Sequence, residues 1–265
     1  MAELTPKEEM DKISAMYEED NMNSSFNLIL YGDLGSGKTH VLRTARRPVL
    51  IHSFDPGGSK TLRLDPGFQK GEIISDTRFE KEIAKTPTAY SLWEKEFDRL
   101  RKTDFFESIG TYVIDSATTW ADALMNEILK KNGRAAGTPQ QMDWMVQMNT
   151  IRDAMKAMVS LPCDCILTAH IDYAKDEGSG RLLGQPMFTG KLKTKIPILF
   201  DEIYVAQAKD TPKGTEYSLL TQATSMLIAR SRLGTGGTFH KFEEPDIKKL
   251  LKKAGMSCED KPALS

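Results

Sequence analysis

Phe26-Asn27-Leu28-Ile29-Leu30-Tyr31-Gly32-Asp33-Leu34-Gly35-Ser36-Gly37-Lys38-Thr39 decides how the rest of the chain is read. Phe26 to Tyr31 is a short, mostly apolar run stopped by glycine, the pattern of a strand buried on both faces of a parallel sheet. Gly32 to Thr39 then satisfies G-x-x-x-x-G-K-[ST] at every fixed position, directly after that strand and at the opening of a helix. Glycines at 32, 35 and 37 let successive backbone N–H groups turn inward around a phosphate, and the helix presents its positive end to the same anion. The expected cradle is Gly32, Asp33, Leu34, Gly35, Ser36, Gly37, Lys38, Thr39 and His40, with Lys38 reaching the β- and γ-phosphate oxygens and the Thr39 hydroxyl on magnesium.

Outward from this stretch the pattern repeats. Val49 to Phe54 reads as a second strand, entered through Arg47-Pro48 and ended by Asp55-Pro56-Gly57-Gly58. Thr111-Tyr112-Val113-Ile114-Asp115 is a third, and Asp164 to His170 a fourth. Helices are expected over 78–103 with a break at Pro87, over 118–131 and over 139–160. In the last of these, Met142, Met145, Met148, Ile151, Met155 and Met158 recur at three- and four-residue steps, which predicts a core face rather than a binding surface. Runs at 203–208, 217–221 and 226–229 are expected to extend the same sheet, and Pro245 to open a basic helix over 246–254. Strands alternating with helices imply an α/β fold: a mainly parallel central sheet flanked by helices, with extra C-terminal strands and ligands bound beyond the carboxyl ends of the strands.

Asp115 emerges at such an end and is the expected second magnesium ligand beside Thr39. Asp55 ends the second strand. It is either the group that activates the attacking water, or part of the magnesium shell, or a turn former. His170 ends the fourth and is either a sensor of the γ-phosphate or structural. Arg230 and Arg232 are candidates for charge-stabilising fingers, within or between chains, against the alternative of ordinary surface arginines.

Length and composition narrow the classes further. The chain has 265 residues, 40% hydrophobic and 28% charged, which excludes collagen-like, disordered and disulfide-scaffold proteins. No apolar run approaches the roughly 18 residues of a membrane span, and the polar, acidic start is unlike a signal peptide. Cys163, Cys165 and Cys258 fit neither a disulfide framework nor zinc spacing, so a cytoplasmic setting without membrane association is expected. Net charge is −1. Residues 1–20 hold seven acids against Lys7 and Lys12, a net −5, which leaves the remainder at +4. Two units are therefore expected: an acidic extension with a short helix over 1–23, and one nucleotide-binding domain over 24–265.

Taken together, Gly32 to Thr39, Ser53 to Gly58, Val113 to Ser116, Thr168-Ala169-His170 followed by Gly190-Lys191-Leu192, Phe200-Asp201-Glu202 and Ala229 to Arg232 resemble the phage-encoded RecA-like P-loop proteins, including the core-only RecA-type single-strand annealing ATPases. The glutamate that AAA+ proteins usually keep beside the Walker B aspartate is absent, since Ser116 stands there; RecA-like ATPases place the acid after the second strand, where Asp55 lies. The resemblance implies ATP and Mg2+ as cofactors and a DNA-stimulated ATPase acting on single-stranded DNA in recombination or replication. It also implies a ring or filament of copies, a single-strand DNA-binding protein as a further partner, and a host-cell cytoplasm. Residues 171–197, with Tyr173, Lys175, Arg181, Phe188, Lys191, Lys193 and Lys195, offer charges and an aromatic platform for single-strand binding, or form a plain surface hairpin. A small-molecule kinase would need an arginine-rich lid, which 116–165 does not show. A nucleotide-dependent loader or regulatory module with little hydrolysis is the other alternative.

Overall fold

The computed structural model describes residues 5–19, 24–175, 180–189 and 192–264. Ten strands are described, β1 (Asn27–Gly32), β2 (Val49–Ser53), β3 (Ile73–Asp76), β4 (Thr111–Asp115), β5 (Asp164–Lys175), β6 (Leu182–Pro186), β7 (Glu202–Thr211), β8 (Gly214–Leu220), β9 (Arg230–Ser231) and β10 (Phe242–Glu243). The helices are α1 (Pro6–Glu19), α2 (Lys38–Val41), α3 (Pro66–Gln69), α4 (Ala89–Arg101), α5 (Phe105–Ser108), α6 (Ala117–Lys131), α7 (Gln141–Val159), α8 (Leu192–Leu199) and α9 (Ile247–Lys253).

The strand order is β10-β8-β7-β1-β5-β4-β2-β3, with β6 on β5 and β9 on β7. From β3 to β7 the pairings are parallel, while β8, β9 and β10 join antiparallel. The sheet is thus mainly parallel with antiparallel additions at its C-terminal edge, as the sequence predicts. Every residue of β1, β2 and β4 is buried, which explains their unbroken apolar runs.

Alternation along β1 assigns the two faces. Ile29 and Tyr31 enter a core with Phe54, Phe79, Trp93, Phe97, Tyr112 and Trp120, closed by α4, α6 and α7. Leu28 and Leu30 enter the other with Val41, Leu42, Ile51, Val113, Ile166, Leu250 and Leu251, closed by α2 and α9. The first core is aromatic and interlocked: Trp93 meets Trp120 edge-on at 5.0 Å between centroids and stacks on Phe97 at 5.2 Å. The indole of Trp93 donates to Tyr112 Oη at 2.9 Å, and that hydroxyl lies 2.8 Å from His52 Nδ1. Burial pushes the His52 ring down to about 4, so the network is uncharged at neutral pH.

Several expectations change. The segment 78–103 is not one broken helix: only Ala89–Arg101 is α-helical, after a 3-10 turn at Arg78–Glu80. Thr86-Pro87-Thr88 disfavours helix ahead of the proline, and Glu82 caps the helix from outside by accepting from Thr88 and Ala89 N–H at 3.2 and 3.0 Å. The methionine face of α7 is core only in its second half. Ile151, Met155 and Met158 are buried, whereas Met142 and Met145 are 65% and 47% exposed, because the first turns of α7 face inward through Asp143, which accepts from Asn132 and Arg134, and Gln147, which donates to Ala121 O. Strand β3 was not foreseen, and the run at 226–229 gives way to a two-residue pairing at Arg230–Ser231. Helix α1 is exposed along its first twelve residues, and no described helix is long and apolar enough to cross a membrane.

Candidate nucleotide site

The carboxyl ends of β1, β2 and β4 and the middle of β5, at His170, converge on one cleft of about 630 Å³, lined among others by Lys38, Thr39, Asp55, Asp115 and His170. Pairing brings them together: Gly32 lies beside His170 across the β1–β5 ladder, and Ser53 beside Asp115 across β2–β4. A volume of this size suits a nucleotide. Gly37 takes a left-handed backbone (φ 88°), as the turn into α2 requires, and a side chain at Gly32 would stand 2.4 Å from the Ala206 carbonyl oxygen.

Within the loop, Lys38 Nζ donates to the carbonyls of Gly32 and Asp33 at 2.9 and 2.8 Å, and Ser36 Oγ donates to Asp33 O at 2.8 Å. Burial pushes the Lys38 ammonium below its ordinary value, although Asp115, Asp55 and Asp33 pull the other way. Thr39 Oγ1 donates to Asp115 Oδ2 at 2.7 Å, and Thr168 donates to Asp115 Oδ1. The expected cation ligands Thr39 and Asp115 are therefore adjacent. Among the described residues no cluster of three or more His, Cys, Asp and Glu could hold a metal alone, so a magnesium ion here would be shared with phosphate oxygens and water, its usual mode beside a single carboxylate. The residues fit that group.

Asp55 faces the same space. A carbon placed on Gly58 would be 3.6 Å from both Asp115 Oδ2 and Asp55 Cβ. Asp55 Oδ1 accepts from Ser116 Oγ at 2.9 Å and from Thr119 Oγ1, while its Oδ2 lies 3.1 Å from His170 Nε2. The His170 amide donates to Thr118 Oγ1 at 3.1 Å. Ser116 is also the N-cap of α6, accepting from Thr119 N–H, so the helix start and the acid share one set of hydroxyls.

The two carboxylates are pushed apart. Burial opposes ionisation of Asp55, but hydrogen bonds from His170, Thr119 and Ser116 outweigh it and hold the acid below the usual carboxylate range. Burial raises Asp115, reinforced by the Asp55 charge, against the hydrogen bonds from Thr168 and Thr39 and the Lys38 charge. Neighbouring acids are thus pushed in opposite directions, Asp55 toward its ionised form and Asp115 toward its protonated one.

Arg230 is not brought to the cleft. Its guanidinium donates to the carbonyls of Pro197 and Phe200 at 2.6 and 2.5 Å, because β9 pairs with β7 and turns the side chain toward the end of α8. Arg232 pairs with Asp201 at 2.6 Å and donates to Ile198 O at 3.1 Å. Neither lines the nucleotide cleft. Conversely, Arg43, Thr61, Tyr217 and Pro245 line it and were missed by sequence reasoning. Tyr217 is brought there by the β7–β8 register, which sets it beside Ala208, and a carbon on Gly37 would be 3.2 Å from its ring. No local motif marks it. His40 and Leu34 line the cleft as expected. In the 171–197 segment, β5 and β6 form an antiparallel hairpin carrying Tyr173, Lys175 and Arg181, and Lys193 pairs with Asp172 at 2.5 Å. Asp176 to Ser179, Gly190 and Lys191 lie outside the described residues.

A parallel sheet with the phosphate loop after β1, Asp115 ending β4 and the strand of His170 between them is the RecA-like P-loop NTPase fold. The chain belongs to the AAA domain family AAA_24, whose model matches residues 25–233. Among solved structures, it is similar to the flagellar accessory protein FlaH from Methanocaldococcus jannaschii (11% identity, 90% of this chain and 91% of that one, TM-score 0.43). It is also similar to a KaiC-like protein from Pyrococcus horikoshii OT3 (12% identity, 78% and 81%, TM-score 0.41). A type III secretion ATPase of pathogenic bacteria matches at 13% identity and TM-score 0.41 over 68% of this chain, which spans only 50% of that one. These likenesses are distant and carry nothing about substrates or partners. No curated protein matches in sequence.

Proposed function

We propose that this chain hydrolyses ATP with magnesium and couples the reaction to single-stranded DNA, as phage-type annealing and recombination ATPases do. The observation that supports hydrolysis best is the hydrogen-bonded acid of Asp55, held in the same cleft as Lys38, Thr39 and Asp115. In this reading Lys38 leaves the Gly32 and Asp33 carbonyls for the β- and γ-phosphate oxygens. Thr39 and Asp115 would hold magnesium, which when bound would supply positive charge beside the phosphates. Asp55 orients a water and accepts its proton as the water oxygen bonds to the γ-phosphorus and ADP departs. His170 donates a hydrogen bond to the γ-phosphate or to Asp55, according to which ring nitrogen carries the proton.

The DNA part rests on the resemblance and on the β5–β6 hairpin. Strand β5 runs from His170 directly into exposed Tyr173 and Lys175, an aromatic surface and a cation suited to sequence-tolerant single-strand binding. In a ring or filament several such hairpins act together, so weak contacts sum. An arginine finger would then have to be supplied across a subunit boundary, and Arg232, half exposed, is better placed for that than Arg230.

The test is ATP turnover with and without single-stranded oligonucleotide, alongside binding at low and moderate salt. Turnover that rises with oligonucleotide, and binding that weakens steeply with salt, are expected. Lys38→Ala should weaken ATP binding by about tenfold or more, since a point charge on the phosphates is lost. Turnover without stimulation or binding removes DNA from the reading, and tight ATP binding with negligible turnover favours a loader or regulatory module instead.

A further inference from the structure

The loop that carries Asp55 is spanned by a carboxylate from outside the cleft. Glu80 ends the 3-10 turn Arg78–Glu80 that follows the edge strand β3. Phe79 fixes that turn to the sheet: it is fully buried, stacks on Phe54 with centroids 5.2 Å apart, and meets His52 at 5.0 Å. From this anchored position Glu80 Oε1 accepts from Ser53 Oγ at 2.8 Å and Oε2 accepts from Gly57 N–H at 2.9 Å. Ser53 and Gly57 lie two residues before and two residues after Asp55, so one side chain closes the loop like a bracket. On the opposite side, Phe54 and Asp55 N–H donate to the Asp115 carbonyl at 2.6 and 3.3 Å. The Asp55 backbone is thereby caught between the end of β4 and Glu80.

We propose that Glu80 is a positioning residue for Asp55: it does not line the nucleotide cleft, and it acts by holding Ser53 and Gly57 so that the Asp55 carboxylate meets water and phosphate in register. The chemistry suits a carboxylate, because the loop offers one O–H and one N–H in a fork that two acceptor oxygens on one carbon can satisfy together. The inference deepens the hydrolytic reading above and rests on Asp55 being the proton acceptor there.

The experiment compares wild type, Asp55→Asn, Glu80→Ala, Glu80→Gln and the Asp55→Asn/Glu80→Ala double variant in steady-state ATP hydrolysis, with binding of a fluorescent ATP analogue measured separately. Glu80→Ala should lower kcat about tenfold or more while KM and analogue Kd stay within about twofold, as expected when a reacting group is misplaced and nucleotide contacts are kept. Glu80→Gln can accept from Gly57 N–H and donate to Ser53 Oγ, so it should recover kcat to within about threefold of wild type. The double variant should be no slower than Asp55→Asn, because the bracket has nothing left to position. Ser53→Ala removes one of the two bonds and leaves Glu80 in place; a partial loss of kcat is expected, and this variant decides the matter if Glu80→Ala does not fold. Unchanged kcat in Glu80→Ala or Ser53→Ala, an analogue Kd weakened as much as kcat, or full additivity in the double variant would overturn the assignment while leaving Asp55 in its role. Wild-type turnover in Asp55→Asn, or no turnover in the wild type, removes the hydrolytic reading and the bracket with it.

Discussion

At the scale of single residues, the contrast between Asp55 and Asp115 is a contrast in partners. Asp55 collects three side-chain donors, whereas Asp115 is 2% exposed and relies on two hydroxyls. The raised value of Asp115 has a stability consequence whose sign is definite. A carboxyl that binds its proton more tightly folded than unfolded destabilises the fold once pH rises above its folded value, and the penalty disappears as pH falls below the unfolded value. Asp115→Asn should therefore keep or raise the melting temperature of the nucleotide-free protein at neutral pH, and lose that advantage as the pH is taken down through the carboxylate range. The same substitution should abolish magnesium-dependent turnover. Melting curves at several pH values with a hydrolysis assay check both halves, and a lowered neutral-pH melting temperature counts against the stability argument. Stability given up at a functional acid is a familiar trade.

Asp115 and His170 were legible because each ends a run of buried residues. Tyr112-Val113-Ile114 is uniformly apolar up to Asp115, and Ile166-Leu167-Thr168-Ala169 nearly so up to His170, so the point where polarity returns marks the sheet's edge. Glu80 and Tyr217 gave no such sign. Their roles depend on which loop and which hairpin lie opposite, which pairing between distant segments decides.

Among the elements, the hairpin of β5 and β6 carries the clearest expectation. Its register sets Tyr173 against Gly184 and Lys175 against Leu182, and Tyr31 Oη, which donates to Ile228 O at 2.5 Å, lies 3.1 Å from Gly184 O in the middle of the ribbon. If the ribbon binds single strands, Lys175→Ala and Arg181→Ala should each lessen the salt dependence of oligonucleotide binding by roughly one counterion, with basal ATP affinity unaltered. A salt-titration series measures this; unchanged slopes in both variants would place the contact elsewhere. Elements also show why some local patterns misled. Helical periodicity through 78–103 is real in α4, where Tyr90, Trp93, Phe97 and Leu100 line one buried face, but upstream of Pro87 the same spacing has no helix to serve. Strand β3 escaped notice because only four residues pair, and only Ile73 of them is buried.

For the whole molecule, one sheet organises two cores, and the aromatic one is the more intolerant. Trp93 contributes both volume and a hydrogen bond to the Tyr112 hydroxyl, so Trp93→Ala opens a large cavity and leaves a buried polar pair short of a donor. A loss of about 3–5 kcal/mol is expected for such a deletion, measurable by denaturant unfolding, and a loss under about 1 kcal/mol would mean that α4 collapses into the gap. The α/β class, the parallel core and the added C-terminal strands were all readable from the sequence, since continuous apolar runs separated by helices admit few arrangements. The assignment of Arg230 was not, because a two-residue strand turns it away and no periodicity announces so short a pairing.

Strand β5 belongs to two structures at once. Its first seven residues sit between β1 and β4 in the buried sheet, and its last five form half of a ribbon beyond it, with no break at His170. Five strand residues extend about 17 Å. The ribbon therefore starts at the residue that touches Asp55, and a load applied near Lys175 is carried along the strand toward His170 as well as into the ties that Tyr31 and Lys193 make with it.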